Sequence, residues 1–419
     1  MVVDVLVIGG GAAGCLAAIR AAESGARVAL VEKNDRIGRK LMLTGKGRCN
    51  LTNAKCWSQF STHLHNKPSF FKPAFYEFSN EATIAMFERL GVKLVLTRDD
   101  RVFPESMRAS DVVDALDGRL RQLGVQMMMG CDVNNVEAEG EGFKISYVTK
   151  SGTRFSSAHI LSRAVIVATG GLSYPATGST GDGYEIAKSF GHTIQRTFPS
   201  LTALTPAGYD IRLKDITLIN ISASLYVGRD MVAFEFGDLQ FTDGGIEGPV
   251  GFKLSRRAVW ALINGDKVSL LVDLKPAVPL DLFKERVARE AAALGVNKYN
   301  FESMKADLLR KFMPQQLVDP FADGNSLNLA NLAATIKEWK FNIVDYVGYR
   351  RAVVTAGGVS LDEVVARTMA SRNRTGLFFA GEVLDIDGDT GGYNLQFAFS
   401  TGALAARGAV QYLASLKES

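Results

Sequence analysis

Apolar and polar positions alternate along the chain in blocks that change period. Val2 to Ile8 is a short, nearly unbroken apolar run, the pattern of a strand buried on both faces. A glycine cluster follows, Gly9-Gly10-Gly11-Ala12-Ala13-Gly14. Ala12 to Ser24 then has helical character, with Gly25 as its C-cap, and Arg27 to Val31 is a second apolar strand ending at Glu32. Amphipathic helices are predicted over Glu81–Leu90 and Ser110–Leu123. The second places Val112, Val113, Leu116, Leu120 and Leu123 on one face. Strands are expected at Val125–Met129, Phe143–Val148 and Ala164–Ala168, the first two forming a meander that leads back into the sheet, and a helix near Tyr184–Phe190.

From about Thr193 to Val272 the rhythm breaks into short β segments, including Ala223–Val227 and Met231–Phe236. Helical patterns take over around Leu280–Leu294 and Lys305–Phe312. The α/β pattern returns with a strand at Gly376–Ala380 and a final helix at about Leu395–Leu413. The interruption has the form of an insertion into an α/β domain.

The chain has 419 residues, enough for two or three domains. Apolar residues make up 47% and charged residues 22%, which excludes disorder as the main state. The net charge of 48 − 44 = +4 does not by itself call for a nucleic-acid or membrane partner. Four cysteines, Cys15, Cys49, Cys56 and Cys131, show no C-x-x-C spacing, so a zinc ribbon, a thioredoxin-like motif and a disulfide scaffold are not expected. The Val5–Ile19 stretch is too short to span a bilayer. It follows Asp4 rather than a basic segment, and glycines interrupt it, so it is not read as a signal peptide. A reduced, cytoplasmic setting is expected.

The glycine cluster matches G-x-G-x-x-G in its required context of strand, turn, helix, strand and acid. Gly9 permits the tight turn, Gly11 lets the backbone approach a pyrophosphate, and Gly14 lets helix and strand pack closely. The helix N-terminus offers free N–H groups and partial positive charge to phosphates. Glu32, 18 positions after Gly14, is placed to accept hydrogen bonds from ribose hydroxyls and to repel a 2′-phosphate. The site therefore suits FAD or NAD rather than NADP, and this segment leaves FAD and NAD open. A second fingerprint is missing, so no separate nicotinamide domain is expected.

Further motifs carry a resemblance. They are Gly38-Arg39-Lys40-Leu41, Thr44-Gly45-Lys46-Gly47-Arg48-Cys49-Asn50-Leu51-Thr52-Asn53, Ala168-Thr169-Gly170-Gly171 and Gly178-Ser179-Thr180-Gly181-Asp182-Gly183-Tyr184. Near the C-terminus stand Gly381-Glu382-Val383-Leu384-Asp385-Ile386-Asp387-Gly388 and Gly391-Gly392-Tyr393-Asn394-Leu395-Gln396. With these, the chain resembles the HI0933-like (BaiN-like) family of bacterial FAD-dependent oxidoreductases over essentially its whole length. The resemblance implies an α/β fold: a split, glutathione-reductase-type, Rossmann-like FAD-binding domain over 1–192 and 345–419. The insert, 193–344, would be β-barrel-like and mainly β at 193–275, with a small helical subdomain at about 276–335. It further implies non-covalent FAD. A more distant similarity to fumarate reductase flavoproteins runs through the Thr-Gly-Asp-Gly segment; those carry a histidine bonded to FAD, and no histidine lies between Arg36 and Asn50 here. The chain departs from the closer family at Glu247, where a serine is usual, at Asp243, where many members have histidine, and at Thr390.

The expected cofactor-binding set is Gly9, Gly11, Ala12, Ala13, Gly14, Glu32, Lys33, Arg39, Lys40, Leu41, Val133, Ala168, Thr169, Gly170, Gly381, Glu382, Asp387, Gly392, Tyr393, Asn394 and Leu395. Arg48 and Asn394 are the candidate catalytic residues, Arg48 (with Lys46) as an anchor for an anionic substrate or reduced flavin and Asn394 at the flavin edge. The competing roles are pairing with structural carboxylates and a plain N-cap. No metal site is expected: His63 and His65 lie two apart in a polar loop without a supporting cluster, and His192 follows a helix end. The expected activity is hydride or electron transfer between a small organic substrate, held between the FAD domain and the insert, and NAD(P)H or another acceptor. The alternatives are a flavin oxidase using dioxygen, like aminoacetone oxidases, and an FAD-dependent RNA-modifying protein, the latter prompted by the basic loop Arg36–Arg48 and opposed by the small net charge. Oligomeric state is left open.

Overall fold

A computed structural model describes residues 1–151 and 154–418. The chain divides into two compact units, Met1–Phe198 with Val353–Ser419, and Pro199–Ala352.

The first unit is built on a nine-stranded sheet. Its centre is β1 (Val2–Ile8), followed by α1 (Ala12–Glu23) and β2 (Val28–Glu32). All of β2 is buried, as a strand covered on both faces must be. The helix α2 (Ala109–Gln122) precedes β3 (Gln126–Met129). A meander of β4 (Cys131–Glu139), β5 (Gly142–Ser151) and β6 (Arg154–Val167) then brings the chain back beside β1. The strands Leu377–Phe379, β6, β1, β2 and β3 run parallel in that order. Their C-terminal ends therefore share one edge, where open α/β sheets bind ligands.

α1 is nearly all small or aliphatic on its inner side, with Ala13, Gly14, Cys15, Leu16, Ala17, Ala18 and Ile19 buried. It is pressed from two directions. A Cβ on Gly14 would lie 1.8 Å from the Gly9 carbonyl oxygen, and a Cβ on Gly402 would lie 2.3 Å from the Ala13 carbonyl oxygen. The final helix, Tyr393–Glu418, thus packs backbone to backbone on α1.

The second unit contains a closed six-stranded barrel in the order Leu204–Pro206, Gly245–Glu247, Asp230–Thr242, Thr217–Val227, Val268–Asp273, Trp339–Tyr346. Phe241, Trp339 and Phe341 fill it, with Trp339 and Phe341 centroids 4.6 Å apart. Helices Leu280–Ala293, Phe301–Leu309, Gln315–Asp323 and Leu332–Lys337 lie in the chain between its strands Val268–Asp273 and Trp339–Tyr346. The segment 193–275, read as mainly β, holds a 16-residue helix, Gly248–Ile263. Pro249 starts it at a position where its missing N–H costs nothing, and Val250, Leu254, Ala258, Val259 and Ala261 form its buried stripe. The neighbouring strands' alternating pattern masks that 3.6-residue period.

Candidate functional site

A cleft opens along the C-terminal ends of the parallel strands of the first unit. Its lining runs from the β1–α1 turn through the end of β2, the loop after it, the start of β4, the end of β6 and the Thr177–Asp182 loop to Gly381-Glu382 and the start of the final helix.

The turn shows why glycine stands where it does. Gly9 has φ +104°, and a Cβ there would be 2.5 Å from the Ala168 carbonyl oxygen. Gly11, at φ −79°, meets nothing within 4 Å, so its Cα faces open space. No side chain caps α1 and no acid sits in its first turn, so its N–H groups and dipole remain available to an anion. Glu32 receives the Gly10 N–H on Oε2 at 2.7 Å and the Asn34 N–H on Oε1 at 2.8 Å, which fixes its carboxylate at the cleft wall. Thr169 Oγ1 is buried without a hydrogen-bond partner among the described residues.

Several charged residues around the cleft are paired. Lys40 Nζ donates to Glu382 Oε2 at 2.5 Å, and the Thr355 N–H donates to Glu382 Oε1 at 2.7 Å. Lys33 Nζ bonds Thr180 Oγ1 at 2.5 Å and also Asp182. Arg39 pairs with Asp35 at 3.3 Å and donates to Asn34 Oδ1. Asn34 Nδ2 donates to the Thr177 carbonyl at 2.9 Å. Lys33 and Asn34 thus tie the loop after β2 to the segment before the Asp182–Ser189 helix.

The cleft gathers Gly9, Gly11, Ala12, Ala13, Glu32, Lys33, Arg39, Lys40, Leu41, Val133, Ala168, Thr169, Gly170, Gly381, Glu382, Asn394 and Leu395. Gly14, Arg48, Asp387, Gly392 and Tyr393 are not among its lining residues. Gly14 packs beneath it. Arg48 spends its guanidinium locally, donating from Nε to the Gly45 carbonyl at 3.0 Å and lying 5.5 Å from the Phe103 ring centroid. Asp387 is buried in a short strand pair with His65. Gly392, at φ +97°, abuts the Thr52 backbone, and Tyr393 packs its ring on Phe60 and His63. Asn394 lines the cleft, yet its amide is engaged elsewhere: Oδ1 accepts from the Gly388 N–H and Nδ2 donates to the Gly388 and Asp389 carbonyls. Asn394 thus clamps the loop Gly388–Asp389 from the cleft wall.

The sequence reading did not assign Asn34, Thr44, Asp132, Gly178, Asp182 or Phe397 to this wall. Gly178 and Asp182 lie inside the quoted glycine motif, which was the available signal. The cysteines are all free thiols. Burial pushes the Cys49 thiol up to about 12, against a smaller opposing hydrogen bond with Thr44, and burial also raises Cys131 at the cleft wall. Neither is poised as a thiolate. In the second unit Arg351 pairs with Asp243 and, at 3.0 Å, with Glu247, so both unusual acids share one arginine. Among the described residues no helix is long and apolar enough to cross a membrane.

Comparison with known proteins agrees with this geometry. A 3-dehydro-bile acid delta(4,6)-reductase of Clostridium scindens is 31% identical over 97% of this chain and 98% of its own length. A ribosomal RNA dihydrouridine synthase of Haemophilus influenzae is 28% identical over 94% and 96%. Among solved structures, a 3-ketosteroid-delta4-(5alpha)-dehydrogenase of Rhodococcus jostii RHA1 shares the fold, with TM-score 0.50 and 15% identity over 98% of this chain and 97% of that one. The class is thus an oxidoreductase built on a Rossmann-type dinucleotide-binding unit. The model of the HI0933-like protein Rossmann domain matches residues 3–408, and the chain belongs to that family.

Proposed function

We propose that the chain binds FAD non-covalently in this cleft and uses electrons from NAD(P)H to reduce a carbon–carbon double bond conjugated to a carbonyl in a small organic molecule. The observation that carries the proposal is the glycine cradle: the open face at Gly11, the uncapped start of α1 and the oriented Glu32 carboxylate lie on one cleft wall. These residues fit a dinucleotide. The α1 N-terminus suits the diphosphate, Glu32 the ribose hydroxyls, and the apolar Val133 the adenine end. The Lys40–Glu382 pair keeps a carboxylate near the phosphates neutralised, and the start of the final helix offers its dipole to negative charge on a reduced ring. Bound FAD, once reduced by NAD(P)H, would supply a hydride to the double bond.

The relatives' names narrow the substrate. One reduces delta(4,6) bonds of a 3-dehydro compound and the other makes dihydrouridine. Each name describes hydrogens added across a double bond conjugated to a carbonyl.

A second reading takes that bond to be in an RNA base, as the dihydrouridine synthase name does. Against it, the basic loop after β2 has spent Lys40 on Glu382 and Arg39 on Asp35 and Asn34, leaving less free charge for phosphates. The test is incubation of the FAD-loaded protein and NADPH or NADH with androst-4-ene-3,17-dione and, separately, with ribosomal RNA. A steroid product carrying two more hydrogens supports the small-molecule reading. Dihydrouridine in the RNA, with no change to the steroid, supports the second. No reduction of either overturns the double-bond assignment.

A further inference from the structure

The segment that follows β6 runs along the cleft with both ends fixed. At its start the Leu172 and Ser173 N–H groups donate to Thr355 Oγ1 at 2.8 and 3.1 Å, and the Ser173 and Thr355 hydroxyls are bonded at 2.9 Å. At its end it enters the Asp182–Ser189 helix. Between these anchors Pro175, Ala176 and Thr180 are exposed, while Thr177, Gly178 and Ser179 line the cleft.

Two side chains from the loop after β2 hold the middle. Lys33 Nζ donates to Thr180 Oγ1 at 2.5 Å and to the Asp182 carboxylate, which also accepts from the Thr180 hydroxyl at 2.8 Å. Asn34 Nδ2 donates to the Thr177 carbonyl at 2.9 Å. Gly178 is the point of closest approach. A Cβ there would lie 2.6 Å from Asn34 Nδ2 and 3.3 Å from Lys33 Cε, and its φ of +99° is one that glycine takes without strain.

The sheet order shows what this link crosses. β1 lies between β6 and β2, and neighbouring strands are about 4.8 Å apart. A bond from Lys33, just past β2, to Thr180, reached from β6, therefore spans about 10 Å of sheet edge across the end of β1. The Gly9–Gly11 turn and the start of α1 stand at that point. Lys33, Asn34, Thr177, Gly178 and Asp182 all line the same cleft as that turn, so the link joins its two lips.

The link is also of a kind that opens. The Lys33 and Asp182 side chains are 23% and 36% exposed, so water competes for the pair and its net strength is modest. Inside the segment the Thr177 N–H bonds the Tyr174 carbonyl and the Gly178 N–H bonds the Pro175 carbonyl, both turns of local chain. Swinging the segment about its two anchors breaks no strand and no helix.

We propose that residues 174–182 form a strap that must unlatch from Lys33 and Asn34 before a dinucleotide can enter or leave the cleft. The proposal rests on the reading of this cleft as a dinucleotide site. Entry and exit share the unlatched state. Weakening the latch raises the population of that state and speeds both directions by the same factor, so the dissociation constant hardly moves. A residue that merely touched the bound cofactor would change release and affinity together and leave entry alone.

The test measures FAD entry by rapid mixing, as quenching of flavin fluorescence, and FAD release on dilution, as its recovery. It compares the parent with Lys33→Met and with the double variant Thr180→Ala, Asp182→Asn, which undoes the same latch from the strap side. Loss of a charged hydrogen bond shared with water should raise both rates about tenfold in each variant. The dissociation constant should stay within about threefold. Faster release with unchanged entry, or parent-like rates in the double variant, would overturn the latch and leave the dinucleotide reading standing. A parent that takes up no FAD would instead sink that reading, and the strap's role with it. Hydrogen exchange of the FAD-free proteins reads the latch without a cofactor. The Thr177 and Gly178 amides should exchange about tenfold faster in both variants, with the β1 amides unchanged as the sign of an intact fold. Parent-like exchange at Thr177 and Gly178 would overturn the latch.

Discussion

Gly11→Ala and Gly14→Ala sit three residues apart and should fail in opposite ways. At Gly14 the new methyl would stand 1.8 Å from the Gly9 carbonyl oxygen, where ordinary contact begins at 3.4 Å, so α1 must retreat by about 1.6 Å. It has no room, because the final helix touches its other side at Ala13, 2.3 Å from a Cβ on Gly402. Overpacking of this kind costs about 3 kcal/mol, at the upper end of the usual range. At about 2–4 °C per kcal/mol, the melting temperature of the FAD-free protein should fall by about 6–12 °C. At Gly11 the backbone is ordinary for alanine, at φ −79°, and its Cβ meets nothing. FAD-free Gly11→Ala should melt within about 1 °C of the parent. Its methyl occupies the approach of the diphosphate instead. Losing one charge-assisted hydrogen bond, at about 1.5–3 kcal/mol, weakens FAD binding by about 10–100-fold. The rise in melting temperature on adding FAD shrinks accordingly, by up to about 2.7 kcal/mol of linked stability. The assay is thermal melting of both variants with and without FAD. Equal losses in the FAD-free proteins, or parent-like FAD stabilisation in Gly11→Ala, would refute the division of labour between the two glycines.

Other consequences are open to measurement. Glu382→Gln strands the Lys40 ammonium, whose side chain is 22% exposed, and should weaken FAD binding by about 1–3 kcal/mol in fluorescence titration; Lys40→Met should do comparable harm by freeing the carboxylate. Arg48→Ala removes only a local carbonyl bond and a ring contact, so FAD affinity should stay within about twofold and stability within about 1 kcal/mol. His192, buried between Glu363 and Ser371, has its pKa lowered by burial, which outweighs the charge of Glu363. A native state that resists protonation is fully stabilised above the free value of 6.5 and loses that contribution as pH falls below it. Melts between pH 8 and 5 should show this loss, and His192→Gln should flatten it.

The architecture of the first unit was readable because a buried parallel strand and an amphipathic helix have different periods, and because the β1–α1 turn needs glycine at fixed offsets. Glu32 was readable for the same reason: its distance from Gly14 is set by the length of one helix and one strand. What escaped was made by distance in sequence. Asn34 reaches Thr177, and Lys33 reaches Asp182, across roughly 140–150 residues. His63 and His65 meet Asp389 more than 300 positions away, so two isolated histidines gave no sign of a shared carboxylate. Asp243 and Glu247 looked like separate departures until Arg351 joined them. Arg48 read as a phosphate contact because a basic, glycine-rich loop follows a dinucleotide strand; its local bond was hidden because Gly45, at φ +58°, curls the loop so that the guanidinium meets its own turn.

The most direct measurement of the central claim is an anaerobic absorbance titration of the FAD-reconstituted protein with NADH and then NADPH, followed by androst-4-ene-3,17-dione. The account predicts a bound oxidised-flavin spectrum that bleaches with a nicotinamide and returns with the enone. A protein that holds no flavin after reconstitution would contradict the site itself. A bound flavin that stays oxidised with both nucleotides would contradict the proposed electron donor and point instead to an organic substrate as the source of electrons, with dioxygen as their acceptor.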